Sequence, residues 1–141
     1  MTRATKVILV VDDEPSIRET SAMILKMSGY EVLTAEDGLA ALEVLSETSP
    51  HVLVSDLRMP RMDGFELLSV VRQRFPEIGV IVISGHYAST SPYENLMTDA
   101  FFAKGSYELD QLLKKIAELI GRYPIRHPNS SAEAAPIPGS M

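Results

Sequence analysis

Five side chains in this sequence are of the types that metal-assisted phosphoryl chemistry uses, and each follows a short apolar run. Asp12 and Asp13 follow Lys6 to Val11, Asp56 follows His51 to Ser55, Ser84 follows Val80 to Ile83, and Lys104 follows Ala100 to Ala103. Carboxylates brought close together repel one another. They must either share protons, which raises some pKa values, or hold a hard cation. Oxygen-only ligation suits Mg²⁺, which keeps several waters and takes one or two carboxylates. A divalent cation, a nucleophilic carboxylate, a hydroxyl donor and an ammonium are the parts phosphoryl transfer requires. Asp56 would attack phosphorus, the metal would offset charge, and Ser84 and Lys104 would hold the phosphoryl oxygens. Read singly, each residue has a plainer role. Asp56 can cap a loop, Asp12 and Asp13 can cap a helix, Ser84 with Gly85 can open a turn, and Lys104 can be a surface lysine. The elements that carry them decide between the two.

Those elements alternate. Lys6 to Val11 is β-branched and apolar, and Pro15 then suits the first turn of a helix. Ile17, Ile24, Leu25 and Ser28 follow with helical spacing, and Ser28-Gly29 closes the run. Tyr30 to Ala35 is a second, more polar strand. Asp37 can cap a helix carrying Leu39, Leu42 and Leu45, which finishes before Pro50. His51 to Ser55 is the third strand, and Phe65 to Phe75, with Leu67, Leu68 and Val71, is a helix stopped by Pro76. Val80 to Ile83 is the fourth strand. Ser91-Pro92-Tyr93-Glu94 forms a capping box with proline at the first helical position, which predicts a short fourth helix before the fifth strand, Ala100 to Ala103. Ser106 is placed to cap the last helix, whose stripe is Leu109, Leu112, Leu113, Ile116 and Ile120, with Gly121 at its end.

Strands alternating with helices argue for an α/β fold, a five-stranded parallel sheet covered on both faces. The doubly wound, flavodoxin-like order 2-1-3-4-5 fits best, because strands 1, 3 and 4 are the most apolar and strand 2 the most polar. In that order strands 1 and 3 are neighbours. Asp12, Asp13 and Asp56 then meet on the carboxyl rim of the sheet, with Ser84 and Lys104 beside them. This joint placement favours chemistry over five unrelated turn residues.

Composition narrows the class further. The 141 residues, 45% of them apolar, suit one domain able to bury a core. With no cysteine there are no disulfides or thiolate metal sites, which fits a reducing cytoplasm. A net charge of −6 argues against a general nucleic-acid binder. No apolar run approaches the roughly 20 residues of a membrane helix, and Val7 to Val11 is too short for a signal-peptide core. The expectation is a soluble, cytoplasmic chain. Residues 1–121 would form the domain. Residues 122–141 hold four prolines, several Ser and Ala, and no apolar periodicity, as a disordered tail or linker does.

Val10-Val11-Asp12-Asp13-Glu14-Pro15, the run Asp56-Leu57-Arg58-Met59-Pro60-Arg61-Met62-Asp63-Gly64, Ser84 and Phe102-Ala103-Lys104 together resemble the receiver domain of two-component response regulators. The resemblance covers about residues 5 to 121. It implies that Asp56 is the phosphoacceptor, that Asp12 and Asp13 form an acidic pocket, and that Asp13, Asp56 and the backbone carbonyl of Arg58 ligate Mg²⁺. It makes Ser84 the switch hydroxyl, Phe101 the switch aromatic and Lys104 the phosphate-contacting lysine. The phosphoryl group would come from a histidine kinase or a histidine phosphotransfer domain, and output would pass to a downstream protein partner, with a weak homodimer as the expected oligomer. Such a chain is not an enzyme beyond its own phosphorylation and slow dephosphorylation.

Three features depart from the family pattern. Gly105 replaces the proline that usually follows the lysine in a cis peptide; because a non-proline cis bond costs about 3–4 kcal/mol, a trans bond or a loop freed by glycine is expected. Met97-Thr98 replaces a common Gly-Ala pair, and the fourth helix is short. Arg58 and His86, two residues past Asp56 and Ser84, occupy positions that tune hydrolysis in the family. Arg58 could steer an anionic donor or exclude water, while His86 reads as a loop histidine. Two other functions compete. One is a receiver-like module that binds a protein constitutively and does not cycle phosphate. The other is an Mg²⁺-dependent phosphatase of the haloacid dehalogenase type, which wants a second aspartate where Arg58 stands.

Overall fold

The computed structural model describes residues 5–57, 59, 61–62, 64–85, 98–105 and 107–122. The β-branched runs pair as β1 (Val7–Val11), β2 (Glu31–Ala35), β3 (Val52–Ser55), β4 (Gly79–Ser84) and β5 (Ala100–Ala103). Between and after them lie α1 (Pro15–Met27), α2 (Gly38–Glu47), α3 (Gly64–Arg74) and α4 (Leu109–Arg122). All pairings are parallel, in the order β2-β1-β3-β4-β5. The polar strand β2 sits at one edge, as its composition suggested, and the three apolar strands sit in the middle.

Two apolar layers cover the sheet. Leu9, Val11, Leu53, Val80 and Val82 face α2 and α3 through Ala41, Leu45, Leu67, Leu68 and Val71. Ile8, Val10, Val52, Val54 and Ile81 face α1 and α4 through Leu25, Leu112, Ile116 and Leu119. Period-two alternation of side chains along the central strands β1, β3 and β4, which are buried on both faces, produces both layers. At the amino end of β4 and β5, Arg72 donates to Asp99 at 2.7 Å and to the Ile78 carbonyl at 3.1 Å. The same Asp99 oxygen, Oδ2, also accepts from the Val80 amide at 2.8 Å.

Some helix details differ from the sequence expectation. Helix α4 begins at Leu109, with Glu108 before it, its N–H donated to the Gln111 side chain at 2.8 Å. Ser106 therefore precedes the helix by more than a cap position and lies outside the described residues, and Gly121 is inside the helix rather than after it. The buried stripe is Leu112, Ile116 and Leu119, while Leu109 is 42% exposed. In α2 the buried positions are Gly38, Ala41 and Leu45, and Leu39 is exposed. Asp37 does cap α2, accepting from the Ala40 amide at 2.9 Å. The helix expected from Pro92, together with Arg58, Asp63, His86, Met97 and the tail beyond Arg122, lies outside the described residues.

Candidate functional site

Asp12, Asp56 and Lys104 each stand one step past the end of a strand, and Ser84 at the last position of one, where the ladder still holds the backbone. The Asp12 amide donates to the Ala35 carbonyl at 3.2 Å, Asp56 to Val11 at 3.0 Å, and Lys104 to Ser84 at 3.0 Å. Three side chains from three strands are thus fixed to one rim by hydrogen bonds between neighbours. Beyond this point α1 takes over: Pro15 opens it, and the Asp12 carboxylate accepts from the Glu14 amide at 2.9 Å. Arg18, one turn into α1, donates to the Asp12 carbonyl at 2.8 Å.

Asp12, Asp13 and Asp56 each offer an oxygen within 4.8 Å of the others. Asp12 and Asp56 are buried and Asp13 is exposed. One Asp56 oxygen, Oδ1, accepts from the Leu57 amide at 2.7 Å, and Ser55 Oγ donates to the Asp56 carbonyl at 2.8 Å. Lys104 Nζ lies 3.0 Å from Asp56 Oδ2, 3.3 Å from Asp12 Oδ2 and 3.7 Å from Glu14 Oε1. Glu14 is a neighbour the sequence reading did not include. Burial pushes the Asp12 carboxyl above its ordinary value; the Glu14 amide and Lys104 oppose this, and the Asp56 charge reinforces it. Burial works against the Lys104 ammonium, yet the Asp56 and Asp12 carboxylates outweigh it and hold its pKa above the ordinary value.

This donor set fits Mg²⁺. Among Asp12, Asp13, Asp56 and Lys104, three carboxylates face one ammonium, so two negative charges are left for a divalent cation to balance. All the donors are hard oxygens, and the exposed side at Asp13 lets the ion keep waters. The Arg58 carbonyl, expected as a further ligand, is outside the described residues.

Ser84 is the last residue of β4, fully buried, with Ala103 as its register partner. Phe101 lies beside Val82 in β5 and packs against the layer formed with α2 and α3. Gly105 takes a left-handed φ of +77°, and among the described residues no peptide bond is cis. Proline could not adopt that φ, so the glycine changes how the chain leaves Lys104. Beyond it Tyr107 packs against Phe102 with ring centroids 5.2 Å apart and the rings tilted by 42°. Tyr107, Ile17, Val54 and Ile83 line a cavity of about 200 Å³ that opens beside Asp12, Asp56 and Lys104. Burial raises the Tyr107 hydroxyl above its ordinary pKa, although Lys104 acts in the other direction.

Comparison with known proteins agrees with this geometry. The sequence model of the response regulator receiver domain matches residues 8–117. Response regulator RR06 of Streptococcus pneumoniae is 42% identical over 118 residues, which are 82% of this chain and 54% of that protein. The DNA-binding transcriptional regulator NtrC of Escherichia coli is 34% identical over 83% of this chain and 25% of its own length. The chain thus spans about half of one curated relative and a quarter of the other. Among solved structures, response regulator TrrA of Thermotoga maritima in complex with Mg²⁺-BeF superposes with a TM-score of 0.75 at 32% identity, over 82% of this chain and 99% of that one. A CheY-like receiver domain protein of Methanospirillum hungatei gives 0.80 at 28% identity, over 86% and 98%.

Proposed function

Because this chain belongs to the response regulator receiver domain family, whose members are phosphorylated on aspartate, we propose that Asp56 is the residue that accepts the phosphoryl group here. The observation that carries this is Lys104 Nζ at 3.0 Å from Asp56 and 3.3 Å from Asp12 on a rim of three carboxylates. A carboxylate oxygen of Asp56 donates its electron pair to phosphorus. The P–N bond of a phosphohistidine breaks, or the P–O bond of a small acyl phosphate, and the pair leaves with the imidazole or the carboxylate. The departing imidazole takes a proton from solvent. Asp12, Asp13 and Asp56 would hold Mg²⁺, with the Arg58 carbonyl, and the bound ion offsets charge between carboxylates and phosphoryl oxygens. Lys104 stays protonated and holds a phosphoryl oxygen as charge builds. Hydrolysis slowly returns the carboxylate, and the chain has no other catalytic activity.

The donor is a histidine kinase or a histidine phosphotransfer domain. The new charge draws the Ser84 hydroxyl toward the phosphoryl group, Phe101 follows, and the surface seen by a downstream protein changes. Residues 1–121 form this domain and 122–141 a tail or linker. A weak homodimer uses the same face. The balance of −6 makes direct nucleic-acid binding by this chain unfavourable. Among the described residues no helix is long and apolar enough to cross a membrane, and we place the protein in the cytoplasm.

The test is incubation with Mg²⁺ and a small acyl phosphate, read by intact mass beside Asp56→Asn. A phosphate-sized gain in the wild type alone is expected. Equal labelling of the variant would move the acceptor elsewhere. No gain in either would favour the constitutive protein-binding module, with Gly105, the departure the structure shows in the loop after Lys104, and Arg58 as the places to look.

A further inference from the structure

The chain leaves Asp56 through Leu57 and Met59 and returns to helix at Gly64, and three features tie this stretch to α2. Arg61 is the first: its Nε and one terminal nitrogen each lie 2.6 Å from Asp37 Oδ2. Asp37 divides its oxygens, since Oδ1 already accepts from the Ala40 amide at 2.9 Å as the helix cap. The Asp37 side chain is 5% exposed. The second contact is Met62 against Gly38, so close that a Cβ on Gly38 would lie 2.7 Å from Met62 Cγ and 2.8 Å from its carbonyl. The third is Met59, buried in the layer that holds Ala41 and Leu45 of α2. Arg61 itself has a φ of +67°, the only positive value among the described residues other than glycine. A side-chain-bearing residue keeps such a backbone only where its surroundings over-determine it, and the ion pair with Asp37 supplies that constraint.

We infer that Asp37 and Arg61 are positioning residues, a clamp between α2 and the segment after Asp56 that sets the geometry in which the acidic rim takes its cation and its phosphoryl group. This rests on the reading of Asp56 as the acceptor. The clamp touches neither reacting atoms nor metal; it acts through the short segment between Asp56 and Arg61, where a displacement of an ångström changes rates strongly.

Two variants separate the clamp from the cap. Asp37→Asn keeps a side-chain oxygen for the Ala40 amide, since asparagine caps as well as aspartate, but removes the charge that Arg61 needs. Arg61→Gln removes the other charge. Mg²⁺ binding is followed by calorimetry and by the methyl signals of Met59 and Met62, and labelling of Asp56 by intact mass at saturating donor. Each variant is expected to weaken Mg²⁺ binding by up to about tenfold, the low end for residues that orient metal ligands, with a lower labelling rate and a smaller loss of melting temperature than Asp37→Ala. The double variant should equal either single one, and Arg61→Lys should recover part of the loss. Wild-type Mg²⁺ binding in both variants, with unmoved methionine methyls, would overturn the clamp. So would additive effects, or a melting loss in Asp37→Asn as large as in Asp37→Ala, which would leave only a cap. If the wild type itself fails to label, the acceptor assignment falls, while the Mg²⁺ and methyl measurements still decide the clamp.

Discussion

Two buried carboxylates on the same rim respond to pH with opposite signs. Asp12 has its pKa raised above 3.8, chiefly by burial, so its charged form is favoured less in the folded chain than in the unfolded one. Its ionisation therefore opposes folding progressively as pH rises through 3.8 and on to the raised folded value. In metal-free buffer at pH 7, Asp12→Asn is expected to be more stable than wild type, because the variant has no charge to desolvate at this buried position. The difference should vanish near pH 3, where both chains are neutral at this position; thermal melts in chelator at the two pH values measure it. A less stable variant at pH 7 would mean that the Lys104 pairing outweighs desolvation. Asp37 is the reverse case. Burial opposes its charge too, but the Ala40 amide and Arg61 outweigh burial and hold it below 3.8. Its contribution is complete above the unfolded value and is lost as pH falls through the lower folded one. Urea unfolding between pH 6 and 2.5 should show a shallower acid limb for Asp37→Asn, while Asp37→Ala loses a further ~1 kcal/mol at every pH with the cap.

Among the elements, α4 shows how helical periodicity can find a helix and most of its core-facing residues, Leu112, Leu113, Ile116 and Ile120, and still misplace one position and miss another. Leu109, Leu112, Leu113, Ile116 and Ile120 form a stripe on paper, yet the helix turns Leu109 outward and buries Leu119, 0% exposed, against Gly79 of β4. The reason is local. The first turn begins at Leu109 itself, whereas a Cβ on Gly79 would come within 3.0 Å of Leu119 Cβ. The glycine in β4 makes room for this leucine, and nothing in the helix alone reveals that. Leu119→Ala is expected to cost about 2–5 kcal/mol as a filled core site is emptied, and Leu109→Ala no more than about 0.5 kcal/mol as a surface change. Denaturant midpoints of the two variants decide it; equal losses would mean the helix packs on the face the spacing suggests. The strands were more legible than the helices for a physical reason. A strand buried on both sides must be apolar throughout, so its end is marked by the first charged residue, and that residue is the one the fold delivers to the rim. Asp12, Asp56 and Lys104 were readable in this way. Arg61 was not, because its partner Asp37 lies 24 positions away and only the packing of α2 against the loop brings them together.

For the molecule as a whole, the site is a region of charge excess within the fold. Three carboxylates and one ammonium meet where the central strands end, and their repulsion is borne by the same sheet that buries the core. A cation that binds only the folded chain must then stabilise all of it, by RT ln(1 + [L]/Kd), or about 2.7 kcal/mol at a hundred times Kd. Magnesium is expected to raise the melting temperature accordingly, by roughly 5–15 °C for a domain of this size near saturation. Sodium chloride at matched ionic strength should give much less, because screening weakens exposed charges more than buried ones such as Asp12 and Asp56. Asp13→Asn separates binding from screening. Asp13 is the exposed member of the cluster, so its loss should leave the metal-free melting temperature nearly unchanged and remove most of the magnesium response. Equal responses to the two salts would show that the rim merely feels ionic strength. A full magnesium response in Asp13→Asn would place the ion on Asp12 and Asp56 alone, and would take Asp13 out of the ligand set.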